Sequence, residues 1–459
     1  MSTSQQAYPP GLIEEQQSHS KWEQKNHGVW ERTFDPIEQT VNFMAVASPS
    51  KLQFVITVGA ILRDPIHVKE LQNAWLALRY VYPVVGSTIT DTGLRYQVPK
   101  SERELQHWVD ETTKIEKTDL SPQEVALSAV APKDSRGAEI WVLPRTNELF
   151  LLIRHEICDG VGSLILLNKF LELLRENKQF GLTDFGHEHT NLSEPISKIM
   201  KTGLPTERQR KQVDEMATEF VSQRALGLQT KPLDPNPVPK SGRIEHTFGQ
   251  AETASILAAC KVNGITITHA ATAAAAIAIL EHSGEQSGRF CTVCHVNMRE
   301  LLPTEYNRAL GNLFTTAFSS IPVSKSSELI GVSEQVKQVY NWWKYNKDNC
   351  ACSTLMPDIV IDSLTAAFTA GVNIPAVMAP IPLGVVEKKI TEQVEDFWFN
   401  LTVSGGGSCM YIYTVKDRLR FVYCYDAIFH EDNSIKEFNT TVIEHLMRGL
   451  ELVQLANVS

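Results

Sequence analysis

The chain lacks the marks of several large functional classes. Only eight of its 459 residues are cysteine, too sparse for a disulfide scaffold. Positive charge is not in excess: 43 lysines and arginines stand against 53 aspartates and glutamates, a formal net charge of −10. Surfaces that track nucleic-acid phosphates draw their affinity from clustered cations, so nucleic acid is not an expected partner. A local basic pocket for one phosphorylated co-substrate remains compatible with this balance. Long apolar runs are missing too. The most apolar stretch, Ala270 to Leu280, is alanine-dominated and well short of the ~20 residues a membrane span requires. The first ten residues carry neither a basic n-region nor an apolar core, so no secretory signal is visible. A cytoplasmic chain that engages no membrane is the expectation. Neither a Walker A loop nor a G-x-S-x-G elbow exists.

What is present is an ordinary globular composition, 43% hydrophobic and 21% charged, in a chain long enough for two large domains. Residues 1–20 are polar and proline-containing, and read as a flexible arm. Residues 21–190 read as a first lobe. Leu52 to Val58 is strand-like, and Asp64-Pro65 reads as the start of a helix whose stripe is Val68, Leu71, Trp75 and Leu78. A helix is expected over Ser101 to Val109, then a hairpin of Glu139 to Leu143 with Leu149 to Arg154. The chain then turns polar and reaches Lys231-Pro-Leu-Asp-Pro-Asn-Pro-Val-Pro-Lys-Ser-Gly242, where four prolines in ten residues make a stiff connector. Residues 191–242 are therefore expected to be a crossover linker, and 243–459 a second lobe. That lobe opens with a strand (Arg243 to Phe248), and Thr268 to Glu281 reads as an alanine-rich helix. Three antiparallel strands are expected near its end: Phe397 to Ser404, Cys409 to Val415 and Leu419 to Tyr425. A final helix follows from about Ser434.

The chemistry concentrates in Leu149-Phe-Leu-Leu-Ile-Arg-His-Glu-Ile-Cys-Asp-Gly-Val-Gly162. An apolar strand delivers His155 into a turn built on Asp159, Gly160 and Gly162, and a helix follows with Ser163 as its N-cap. Imidazole accepts and returns a proton near neutral pH, and the glycines let a ligand approach the backbone. Asp159 could orient His155 as in a triad, or point away from it. Rival motifs are weaker. Gly160-Val-Gly162 imitates a dinucleotide fingerprint, yet Ile165 stands at the third glycine position. Cys158, in apolar surroundings, reads as filler rather than nucleophile. Cys291-Thr-Val-Cys-His295 spells the haem-attachment pattern, but its flanks read as a buried strand. No second Cys/His pair stands at zinc spacing, so no metal is expected. His187-Glu-His189 lies in a polar stretch and reads as solvated, and Gly405-Gly-Gly407 as a strand connector.

With these residues in place the chain resembles the H-x-x-x-D-G acyltransferases, the superfamily of chloramphenicol acetyltransferase, the plant BAHD enzymes and the condensation domains of peptide synthetases. Leu71-Gln-Asn-Ala-Trp-Leu-Ala-Leu-Arg-Tyr-Val-Tyr-Pro83 is similar to the family's first long helix. Gly264-Ile-Thr-Ile-Thr-His-Ala-Ala-Thr-Ala-Ala274 is similar to the helix that opens its second domain. Asn297-Met-Arg299 and Gly311-Asn312 match its N-x-R and G-N pair. Trp30-Glu-Arg-Thr-Phe-Asp-Pro-Ile-Glu38 resembles fungal secondary-metabolite enzymes of the trichothecene 15-O-acetyltransferase type. The resemblance runs from about residue 20 to the end.

It implies an α/β (α+β) fold of two chloramphenicol-acetyltransferase-like lobes, each a mixed sheet with flanking helices, enclosing a central channel. His155 would be the general base and Asp159 would form a structural ion pair with Arg299. Arg299, Asn297 and Asn312 are the residues carried over as substrate- or cofactor-binding. Acyl-CoA, most simply acetyl-CoA, would be a co-substrate rather than a bound cofactor, the acceptor a small-molecule hydroxyl, and the protein a monomer. The BAHD D-F-G-W-G box is absent; Asp396-Phe-Trp-Phe-Asn400 matches only its first two letters. The oxyanion donor is therefore unassigned, with Asn400, Thr402 and Ser404 as candidates beside ordinary strand hydrogen bonding. Two alternatives accompany acyl transfer. One is carrier-protein-dependent condensation or cofactor-free cyclisation on the same scaffold; the other is a binding or assembly protein that has kept the fold.

Overall fold

The computed structural model describes residues 21–47, 52–128, 136–200, 206–222, 225–234, 236–345, 361, 378–390 and 394–452; the N-terminal arm lies outside them. In chain order the elements are β1 (Glu23–Asn26), β2 (Val29–Thr33), α1 (Pro36–Ala47), β3 (Val55–Leu62), α2 (Val68–Val81), β4 (Thr88–Ile89) and β5 (Gly93–Gln97). Next come α3 (Glu102–Thr112), β6 (Thr113–Ile115), α4 (Pro122–Ser128), β7 (Ala138–Leu143), β8 (Glu148–Arg154) and α5 (Gly160–Glu176). The middle of the chain holds α6 (Ile196–Ile199), α7 (Glu207–Ser222) and β9 (Ala225–Leu226). The second half holds β10 (Ser241–Thr247), α8 (Gln250–Val262), α9 (Ile267–Ser283), β11 (Ser287–Asn297), β12 (Phe314–Ser324) and α10 (Leu329–Tyr345). It ends with β13 (Met378–Val385), β14 (Val394–Thr402), β15 (Ser408–Val415), β16 (Arg418–Asp426) and α11 (Asp432–Gly449).

The first lobe is built on a mixed sheet of order β14-β3-β8-β7-β6. Strand β8 is buried along its whole length, which is why its sequence is a continuous apolar run and not an alternating one. Helices α2 and α5 cover one face through Leu71, Trp75, Leu78, Leu164, Leu167 and Phe170. Trp75 is fully buried and satisfies its indole N–H with Thr112 Oγ1 at 2.8 Å. The second lobe rests on the sheet β10-β16-β15-β13 and on α9. The alanines of α9 are buried on every side, because small side chains let β11, β12, α10 and α11 approach it closely. No helix among the described residues is long and apolar enough to cross a membrane.

Four local expectations are corrected. Asp64-Pro65 do not open α2, which begins at Val68 with His67 before it. Ser163 is not the cap of α5; Asp159 is, accepting the Gly162 N–H at 2.6 Å. The strands from Phe397 onward do not form one three-stranded unit. β15 and β16 pair with each other, but β14 leaves them and pairs antiparallel with β3, Asn400 opposite Thr57. A strand from the second half thus completes the first lobe's sheet, and the crossover region expected over 191–242 contains the 16-residue helix α7. His189 is not solvated either: its ring stacks on Trp30, centroids 4.6 Å apart.

Candidate active site

His155 follows β8 directly, and its neighbours leave it little freedom. On either side of it, Arg154 and Glu156 are fully buried and joined to each other at 2.5 Å, with Arg154 also donating to Gln53 Oε1 at 2.9 Å. A buried ion pair is costly to break from one side, so this bridge pins both flanks of the histidine. The His155 N–H donates to Phe54 O at 3.0 Å. The rings of Phe54 and Phe314 lie 6.4 and 6.3 Å from the imidazole by centroid.

Asn312 then fixes the ring's chemistry. Its Nδ2 donates to His155 O at 2.8 Å and to Glu156 O at 3.3 Å. Carbonyl oxygens only accept, so the amide nitrogen must face them and Oδ1 must face the imidazole, at 3.2 Å from Nδ1. An amide oxygen is an acceptor, so Nδ1 carries the proton in the neutral ring and Nε2 keeps a free lone pair. That is the tautomer a general base at Nε2 needs.

Asp159 is occupied elsewhere. Oδ1 caps α5, while Oδ2 accepts from Arg299 Nη1 at 2.9 Å and from Leu313 N at 2.8 Å. Both side chains are buried, and Arg299 completes its bonding with Asn297 Oδ1, Ala309 O and Gly311 O at 3.2–3.3 Å. Arg299 and Asn297, grouped by resemblance with the substrate-binding residues, are spent on joining the β8–α5 loop to the segment between β11 and β12. Two glycines allow this closeness. A Cβ on Gly162 would lie 3.2 Å from Arg299 Nη2, and Gly311 has φ +142°, a conformation that L side chains rarely adopt. Gly160 stands at the start of α5, where a Cβ would lie 3.1 Å from Leu383.

The structure therefore brings His155, Asp159, Gly160, Asn297, Arg299 and Asn312 together. Asn400 is buried and accepts from Cys424 Sγ at 3.5 Å, and Thr402 at the end of β14 and Ser404 just after it are also buried. Cys158 is an unsuitable nucleophile: burial, then the neighbouring Asp159 charge, pushes its thiol well above the ordinary value. One nearby residue escaped the sequence reading. His295, on β11, packs edge-on against Phe314 at 4.9 Å, the same ring that faces His155. Its haem-like context, Cys291-x-x-Cys-His, drew attention away from it. On β11, alternation sends Cys291 and Cys294 to opposite faces, so the two thiols do not converge.

Comparison with known proteins bears on the fold and on the kind of protein the chain is similar to. No family model matches the chain. It is 25% identical over 456 residues, covering 94% of this chain and 86% of the other, to the O-acetyltransferase pigM of Monascus ruber. Among solved structures it superposes on TRI3 trichothecene 15-O-acetyltransferase from Fusarium sporotrichioides with a TM-score of 0.80 at 17% identity, covering 94% of this chain and 98% of that one. The chain shares the fold of that structure. The same two-lobed fold extends to the EpoB cyclization-docking bidomain from Sorangium cellulosum, with a TM-score of 0.67 at 13% identity over 96% of this chain and 89% of that one.

Proposed function

We propose that the protein transfers an acetyl group from acetyl-CoA to a hydroxyl of a small-molecule secondary metabolite, with His155 as general base. The observation that carries this is the Asn312 amide, whose orientation leaves His155 Nε2 as a lone pair in a half-buried loop. The relative named an O-acetyltransferase, alike over nearly the whole chain, supports acetyl as the transferred group.

In this reading a channel between the lobes admits the thioester and the acceptor from opposite mouths. Nε2 takes the acceptor's hydroxyl proton as its oxygen attacks the thioester carbonyl. The tetrahedral intermediate collapses, the C–S bond breaks, and the departing thiolate recovers the proton from the imidazolium. Positive charge on His155 is met by Asn312 Oδ1, while Asp159 and Arg299 hold the loop without joining the proton transfer.

Incubation with acetyl-CoA and a panel of hydroxylated polyketides, read by mass spectrometry, tests the reading. Products one acetyl group heavier than their acceptors are expected. His155→Ala should lower their formation roughly 10²–10⁴-fold with an unchanged melting curve. Turnover retained in that folded variant would remove His155 as the base. Products lighter than acceptor plus acetyl would favour cyclisation on this scaffold.

A further inference from the structure

The reaction just described develops negative charge on the thioester oxygen, which calls for a hydrogen-bond donor. His295 is a candidate. It lies in the strand segment Val293, His295, Asn297, whose alternate side chains are partly open, whereas Thr292, Cys294 and Val296 between them are buried in the core. Asn297 on that same face bonds Arg299, the partner of Asp159. Across the ladder His295 faces Thr316 and Asn297 faces Phe314. Phe314 touches both imidazoles, His155 at 6.3 Å and His295 at 4.9 Å. The open face of β11 and β12 is therefore continuous with the catalytic loop.

The state of the His295 ring follows from its two nitrogens. Among the described residues, Nδ1 is buried without a hydrogen-bond partner. A buried N–H without an acceptor is rarer and more costly than a bare acceptor. The proton accordingly belongs on Nε2, the other nitrogen. Burial first, and the nearby His155 second, pull the ring's pKa down to about 4, so it is neutral at physiological pH. The two histidines then hold complementary tautomers: Nδ1–H with a basic Nε2 in His155, bare Nδ1 with a donating Nε2–H in His295.

We propose that His295 donates its Nε2–H to the carbonyl oxygen of the acyl thioester and stabilises the oxyanion formed when the acceptor attacks. The inference rests on the acetyl-transfer reading above and deepens it. As the C–O bond forms, the carbonyl π pair moves to oxygen and the acceptor's proton goes to His155. His295 keeps its own proton throughout and supplies only the hydrogen bond, as a preorganised neutral donor does in a water-poor site.

Two measurements decide it. The first is release of free CoA thiol from acetyl-CoA by the full-length protein, with water as acceptor and with any alcohol found by the panel above. His295→Phe, which keeps the ring's bulk, should lower turnover by roughly 10²–10³-fold with the KM for acetyl-CoA nearly constant. His295→Gln, whose amide can donate from a similar position, should recover most of that loss. The second is the ¹⁵N spectrum of histidine-labelled wild type, in which His295 should appear as the Nε2–H tautomer and His155 as Nδ1–H. His295→Phe turning over within about threefold of wild type, against the 10² expected for a lost oxyanion donor, overturns the proposal, as does an Nδ1–H signal from His295. If wild type releases no thiol at all, the acetyl-CoA reading fails, and the tautomer spectrum still passes or fails the donor assignment by itself.

Discussion

His155 and His295 both neighbour the Phe314 ring and are held in opposite ways. Everything around His155 restricts it: a buried ion pair on both sides, a backbone bond to Phe54, and the Asn312 amide on its ring and its carbonyl. His295 has no such partner at Nδ1, and its state is set by what surrounds it rather than by what bonds it. The difference teaches how two neighbouring imidazoles can be set for the different duties proposed for them. A base that must take a proton needs its charged form supported. A donor that must never take one is better left in a place hostile to charge.

The strongest way to break this contrast is to remove the clamp beneath His155. Asp159→Asn would leave the Arg299 guanidinium buried without its counter-charge, which typically costs about 3–5 kcal/mol. The expected result is a large fall in melting temperature together with lost activity. His295 should keep its tautomer in whatever folded fraction remains. An unchanged melting curve with collapsed turnover would instead make Asp159 a participant in the chemistry.

A somewhat smaller effect should separate the histidines by pH. The folded pKa of His295 lies at about 4, below the ~6.5 of an unfolded chain. As pH falls below 6.5 the unfolded state takes up a proton that the folded state refuses, so stability drops and levels off only below pH 4, by at most roughly 3 kcal/mol. His269 is pulled down to about 4 in the same way, mainly by burial, but contributes equally to wild type and to a His295 variant. His295→Gln should therefore lose less melting temperature between pH 7 and pH 5 than wild type does. Parallel curves would mean that His295 accepts a proton in the folded protein, which would remove its standing as a neutral donor.

How far the sequence foretold these two sites depends on how local each one is. The β8–α5 turn was legible because a strand, a loop and a helix follow one another in contiguous sequence, Glu148 to Glu176, and need no distant partner to be read. The cap of α5 was misjudged at Ser163 because Asp159 performs two duties at once, capping the helix and pairing with Arg299. The first of the closing strands was expected to stay beside its neighbours, yet β14 crosses to β3, a partner more than 300 residues away that periodicity cannot signal. His295 was hidden for another reason. Its five-residue neighbourhood spells a haem motif, and only the pairing of β11 with β12 reveals which strand face it occupies.

The finest test concerns Asn312, 157 residues from His155 in sequence and grouped by resemblance with substrate-binding positions. Asn312→Leu would remove the acceptor at His155 Nδ1 and the donor to the carbonyls of His155 and Glu156 together. Asn312→Asp would keep an acceptor at Nδ1 but point oxygen at both carbonyls, where only a donor fits. A ring without a tautomer lock divides its proton between the two nitrogens, so part of the population presents an N–H where the acceptor needs a lone pair. Turnover should fall about 10–100-fold in Asn312→Leu, less than for loss of the base itself, and the KM for acetyl-CoA should hardly move. The ¹⁵N spectrum should show His155 in mixed tautomers while the His295 signal stays put. If instead KM rises and the His155 tautomer remains pure, Asn312 serves the substrate, and His155 is held in its working form by the rest of its loop.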